Sequence, residues 1–380
     1  MEFILDTLAH FVRGEGPPPG IPAHVATEFE QELTWLCEWH SVTPIVLASL
    51  EKLALRPEIS RLTRERIKAL AGASAKLSGE LLATAKSLMA DLERAGARAL
   101  LMKDALYPIA VYPAPALRPV EKLEILIGED DWSTVIGVCA AAGFARVDNA
   151  PMFADGGEAM SYYQYFSPCV LYNEKRDALH VRFRLFDPGT PDPLEACWGH
   201  GGRLGGSDGP MGLSLEDQLV ESCMSYNMSH FDRLIHAVDI ALILVRHGAA
   251  LNWEYVGERL RSRSAYAAAV FTMQHVVRTL KLAPSIMQLK SPGIIRKNLF
   301  LFLWPATDED LLAGRQPRNQ RFRFYLLEMD GWPERLRFIA RLLSPRPQWV
   351  SDFFGKPFTP WLKLKFIVMA LRNRLGVRAT

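Results

Sequence analysis

Cysteine is scarce. Five residues (Cys37, Cys139, Cys169, Cys197, Cys223) in a chain of 380 form no Cys-x-x-Cys pair, and pairing four would leave one over. That excludes a small disulfide-stapled scaffold and predicts neutral, buried thiols in a reducing cytoplasm. Charge of one sign is lacking too: 44 Lys and Arg stand against 42 Asp and Glu, a net +2. No bulk field draws the chain to nucleic acid or membrane, so no nucleic-acid partner is expected, and only a local patch could change that. Long hydrophobic runs are missing. Near the C-terminus the longest, Phe366 to Leu371, is far short of the roughly 20 residues that cross a bilayer. The opening MEFILDTLAHFVRGE has early acids and no Ala-x-Ala cleavage pattern, so no signal peptide is read and a cytoplasmic protein is expected.

What is present is ordinary for a globular chain. The sequence is 49% hydrophobic and 23% charged, which excludes disorder and collagen-like repeats. Its length allows about two to three domains, with no internal repeat.

Helical spacing dominates the first hundred residues. After the breaker from Gly14 to Gly20, the apolar Phe29, Leu33, Leu36 and Cys37 recur on one helical face. A second helix is predicted over Pro44 to Leu55. A longer one runs from Leu62 to Ala95 in Ala/Leu/Lys/Glu-rich sequence, with Gly96 as its C-terminal stop. Then the period changes. Arg98 to Met102 reads as a strand, Ala105 to Tyr112 as a helix, and Lys122 to Ile127 as a second strand. Trp132 to Ala142 reads as a helix, Tyr162 to Phe166 and Cys169 to Tyr172 as hairpin strands. Leu179 to Leu185 alternates, with Leu179, Val181, Phe183 and Leu185 on one face and His180, Arg182 and Arg184 on the other. Gly199 to Gly212 is predicted to be a surface loop. Beyond it Ser214 and Asp217 have capping-box spacing, and helices continue to the end. The fold class is α+β, predominantly helical, with a small mixed sheet between an N-terminal helical segment (1–95) and a C-terminal helical domain (213–380). The sheet unit spans 96–212.

An ordered set of short motifs carries a resemblance. Met102-Lys103-Asp104, Arg118-Pro119, Lys122 to Ile127, Gly143-Phe144, Leu179-His180-Val181-Arg182, Leu215-Glu216-Asp217, Asp232-Arg233 and Asp239-Ile240-Ala241 follow one another along most of the chain. In this order they resemble an uncharacterised bacterial nucleotidyltransferase family found near polysaccharide and modified-peptide biosynthesis genes. The resemblance implies a nucleotidyltransferase-like sheet. It also implies metal-assisted transfer of a nucleoside monophosphate from an NTP. Two carboxylates at i and i+2 of a strand would hold Mg²⁺ against the phosphates, and a third would come from a neighbouring strand.

The sequence departs from that pattern where the chemistry sits. Asp104 occupies the glycine position, Lys122 the first carboxylate position and Ala178 the third; Glu124 alone is retained. A protonated Lys cannot ligate Mg²⁺. Glu124 and Lys122 are therefore the catalytic candidates if transfer persists; the resemblance marks Lys103, Asp104, Arg118, His180, Arg182 and Asp232 as candidate ligand-binding residues, and the strand face adds Arg184. Arginines suit bidentate phosphate contacts, so His180, Arg182 and Arg184 read as a cationic wall. The bland alternative is a solvated strand face with weak ion pairs. His230, Asp232, His236 and Asp239 read as helix packing and capping, and no metal-ligand set is assigned. The expected ligand is a nucleotide or other anionic small molecule, NTP possible and Mg²⁺ only with transfer; a peptide or biosynthetic protein partner is a further expectation. The alternative is an active enzyme transferring a nucleotidyl or phosphoryl group to a peptide or glycan-type acceptor. Finally, Lys356, Lys363, Lys365, Arg372, Arg374 and Arg378 run without an acid at the C-terminus. They predict a basic helix docked on the body through Trp361, Leu364, Phe366, Ile367 and Leu371, or a peripheral membrane contact.

Overall fold

The computed structural model describes residues 1–16, 27–52, 59–146, 155–166, 168–185, 194–229, 231–262, 265–290 and 347–375, with residues 153, 333, 335, 336 and 340 besides. Four helices come first: α1 (Glu2–Arg13), α2 (Thr27–Trp39), α3 (Thr43–Lys52) and α4 (Arg61–Arg94). The 34-residue α4 starts where Ser60 Oγ accepts the amide of Thr63 at 3.2 Å, a side-chain cap for an otherwise orphan donor. Glu30 of α2 binds the Ser60 amide, the Ser60 hydroxyl and the Thr63 hydroxyl, tying the two helices together. At the far end Gly96 adopts φ +74°, and the amide of Ala97 returns to the Leu92 carbonyl. This left-handed stop, which glycine adopts at no steric cost, feeds the chain straight into the sheet.

The sheet has seven strands in the order β3-β4-β5-β2-β1-β7-β6. They are β1 (Ala99–Met102), β2 (Leu123–Ile127), β3 (Ala145–Arg146), β4 (Cys169–Tyr172), β5 (Ala178–Arg182), β6 (Gly202–Arg203) and β7 (Met211–Gly212). β1 and β2 run antiparallel at the centre and are buried at every residue, which is why β1 reads as an unbroken apolar run and β2 as one interrupted only by Glu124. β2 pairs with β5 in parallel, and β5 alternates between buried and half-buried. The sheet is mixed, as expected, and the chain is predominantly helical.

Further helices complete the core: α5 (Leu106–Ala110), α6 (Trp132–Ala141), α7 (Gly156–Phe166), α8 (Leu194–His200), α9 (Leu215–Met228), α10 (Leu234–His247), α11 (Trp253–Ser262) and α12 (Tyr266–Thr279). Ser214 caps α9 through the amide of Asp217 at 3.1 Å, the predicted capping pair. α9 packs against α10, α11 and α12, and α1 packs against both α3 and α10. One hydrophobic cluster therefore runs continuously from Phe3 to Leu282. All five cysteines are free and buried in it. Two last helices, α13 (Pro347–Phe354) and α14 (Pro360–Leu375), follow. Among the described residues no helix is long and apolar enough to cross a membrane.

Four local expectations change. Tyr162 to Phe166 is the end of α7, not a strand: Asp155 accepts the Glu158 amide at 2.9 Å, and Ala159 and Tyr163 are buried at i and i+4. Gly199 to Gly212 is not merely a loop. Its β6–β7 hairpin extends the sheet, β7 lies parallel to β1, and a Cβ on Gly212 would collide with Leu204. The predicted helix from Ala105 to Tyr112 shortens to α5, after a 3₁₀ turn over Lys103–Ala105. Lys122 lies just before β2 rather than within it.

Candidate functional site

Register places the central side chains. Glu124 on β2 sits opposite His180 on β5, and Arg182 follows two residues later, so Glu124, His180 and Arg182 share one face of the sheet. Glu124 is fully buried. Lys122 reaches back to it, Nζ to Oε1 at 2.8 Å, while Arg182 Nε lies 2.6 Å and Lys103 Nζ 3.7 Å from Oε2. Burial by itself would push the Glu124 carboxyl up. The charges of Lys103, Arg182 and Lys122 overcome that and hold it well below the usual carboxylate range. Burial works against the Lys122 ammonium, and Glu124 and Asp104 more than compensate, raising its pKa. Glu124 and Lys122 thus stay ionised together.

Lys103 arrives by an uncommon route. Immediately after β1 it takes φ +52°, a left-handed conformation costly for a non-glycine residue. Gln218 of α9 holds the turn by accepting the Lys103 amide at 3.0 Å. The ammonium then meets Glu221 at 2.6 Å and the Ser225 hydroxyl at 3.0 Å. Gln218, Glu221, Ser222 and Ser225 form a polar stripe at helical spacing on a helix that is otherwise largely buried and apolar. The sequence shows that stripe only as polar residues on a helix, with nothing to say that they face Lys103.

A second buried set lies beside the first. Arg118 donates from Nε and Nη2 to the two oxygens of Asp239, at 2.8 and 2.9 Å, and from Nη2 to Asp104 at 2.9 Å. Its guanidinium also lies over the Tyr107 ring, 5.2 Å from the centroid. Tyr112 adds a hydrogen bond to Asp239 at 2.8 Å. Arg118 thus ties Asp104 to Asp239 of α10.

These groups border a cavity of about 410 Å³ between the sheet and α9–α10. Lys103, Asp104, Arg118, Lys122 and Glu124 line one side, and Glu221, Ser225 and Ser229 of the α9 side line the other. Phe231, at φ +61°, turns the chain so that Asp232, Arg233 and His236 close the wall. Arg233 pairs with Glu121 at 2.7 Å. One Asp232 oxygen, Oδ1, is buried with no hydrogen-bond partner among the described residues. His230 lies outside the described residues.

The predicted cationic wall does not face this cavity. His180 and Arg182 support Glu124 from β5, and Arg184 lies half-buried beyond the strand; none of the three is part of the lining. Burial, aided by Lys122 and Arg182, pushes the His180 imidazole down to about 4, so it is neutral at pH 7. The lining is balanced rather than basic: Lys103, Arg118, Lys122 and Arg233 face Asp104, Glu121, Glu124, Glu221 and Asp232.

The side chains do not fit a divalent cation. Both Glu124 oxygens lie against cationic nitrogens, and among the described residues no group of three His, Cys, Asp or Glu could hold a metal ion. Asp177, next to the place of the third carboxylate, instead closes the β4–β5 turn by exchanging hydrogen bonds with Asn173 at 2.7 and 2.9 Å.

A sequence family described as an uncharacterised nucleotidyltransferase matches residues 28–281, more than half of the chain. No curated protein and no solved structure matches it.

Proposed function

The chain belongs to this nucleotidyltransferase family, and from that premise we propose that it binds a nucleotide or another anionic small molecule in the cavity beside Lys122 and Glu124, without two-metal nucleotidyl transfer. One observation carries the reading: the Lys122 ammonium, with its side chain 34% exposed, stands 2.8 Å from Glu124, at the position where the resemblance implies a metal-binding carboxylate. A fixed ammonium brings positive charge to a phosphate without dehydrating a metal ion. Lys103 adds a second cation from the turn after β1. Glu124 serves as the counter-ion of Lys122, Lys103 and Arg182, holds them in position and raises the Lys122 pKa. The acids around the rest of the wall favour a ligand that also offers hydrogen-bond donors, as a ribose does, and Asp232 Oδ1 is an acceptor for one.

The test is an equilibrium titration of ATP, GTP and pyrophosphate, with Mg²⁺ and with EDTA, beside an assay for pyrophosphate release. Saturable binding in EDTA without pyrophosphate release supports the reading. Rapid, Mg²⁺-dependent release would replace it with an enzyme transferring a nucleotidyl or phosphoryl group to an acceptor.

A further inference from the structure

Helices α13 and α14 lie outside the segment that the family match covers, and neither lines the cavity. They pack against each other across a turn in which Gly355 takes φ +60°. Thr359 caps α14, its hydroxyl accepting the Leu362 amide at 3.1 Å. Lys365 of α14 stands over the ring of Phe354 at 5.4 Å.

Of the apolar residues expected to dock this helix on the body, Trp361 and Leu364 are exposed instead, and the side chain of Leu371 lies outside the described residues. Trp361 is 70% exposed, Leu364 50% and Val368 39%. They lie at i, i+3 and i+7, one stripe along the helix. Phe366 and Ile367 are half-buried. α14 is thus apolar on more than one side, and among the described residues none covers the side bearing Trp361. A tryptophan and two aliphatic side chains in a row are costly to leave in water.

Charge selects the partner. From Lys356 onward the sequence holds Lys356, Lys363, Lys365, Arg372, Arg374 and Arg378, and the last acid is Asp352. A second copy of this helix would bring like charges together. An anionic surface with an apolar interior answers both features at once: lysines meet headgroups while Trp361, Leu364 and Val368 enter the headgroup–acyl boundary. We infer that α14 is a peripheral docking helix for anionic phospholipid, holding the protein at a membrane surface without crossing it.

Flotation of the full chain with vesicles tests this. One set is phosphatidylcholine alone, the other contains roughly a quarter phosphatidylserine. The expected result is recovery with the anionic vesicles only, falling as salt rises. Lys363→Glu with Lys365→Glu should lower partitioning by about tenfold or more, and Trp361→Ala should lower it while leaving the circular dichroism and nucleotide titration of the protein unchanged. Several results would overturn the inference. These are no recovery with anionic vesicles at low salt, equal recovery with neutral ones, indifference to both variants, or a concentration-dependent dimer that Trp361→Ala abolishes. An acidic protein that binds the helix in preference to phosphatidylserine vesicles would do the same.

Discussion

Lys122 and Glu124 are two residues apart in sequence and their charged groups are 2.8 Å apart in space, the ammonium on one carboxylate oxygen while Arg182 and Lys103 approach the other. A carboxylate so surrounded cannot also be the centre of a metal site. Its role is to pay the electrostatic cost of gathering three cations at the end of the central strands.

Removing that carboxylate should therefore destabilise the fold before it harms binding. Breaking a buried pair from one side typically costs about 3–5 kcal/mol. Glu124→Gln should lower the urea midpoint accordingly, while affinity for pyrophosphate holds or rises because the cations lose their internal partner. Glu124 is held below its unfolded pKa, so its contribution is complete above that value and is lost as pH falls through the folded one. Denaturation curves should show a smaller gap between wild type and Glu124→Gln at pH 3 than at pH 7.

Arg118 and Asp239 make a structural pair. Both are buried, and Arg118 also holds Asp104. Arg118→Met and Asp239→Leu should each cost about 3–5 kcal/mol, and the double variant less than the sum. A thermodynamic cycle in urea reads this directly. Strict additivity would mean that the two side chains do not depend on each other.

His180 predicts a second pH window. Its folded pKa lies near 4 against 6.5 for the free group. Stability from keeping it neutral is complete above about 6.5 and is lost as pH falls towards 4, by up to about 3 kcal/mol in total. His180→Asn should flatten the stability profile between pH 6.5 and 4. An unchanged slope would place the titration on another group.

Much of this was legible in the sequence, for physical reasons. β1 and β2 are buried on both faces and announce themselves as Ala99–Met102 and Leu123–Ile127, while β5 alternates from Leu179 on. Those strands carry Glu124, His180 and Arg182, and the spacing of Lys122 and Glu124 already put them on one side. The α9 wall was not legible. A Glu221 or Ser225 on a helix gives no sign of which neighbour it will face until the sheet is in place. Arg118 was named from the Arg118-Pro119 motif, and it does line the cavity, but its partner Asp239, 121 positions away, could not be read from the sequence. β6 and β7 have two residues each, too few for any period to show. The α14 stripe misled for a related reason: apolar spacing shows that a face seeks cover, and says nothing of whether the chain or another surface supplies it.

The central claim is that the Lys122 ammonium stands where a metal ion would, and one calorimetric comparison tests it most directly. Pyrophosphate is titrated into wild type and Lys122→Ala, each in Mg²⁺ and in EDTA. The account predicts that wild-type affinity survives EDTA and that Lys122→Ala weakens it by about 1–3 kcal/mol in both buffers, the worth of a charged hydrogen bond. Wild-type binding abolished by EDTA, with Lys122→Ala unchanged, would contradict it.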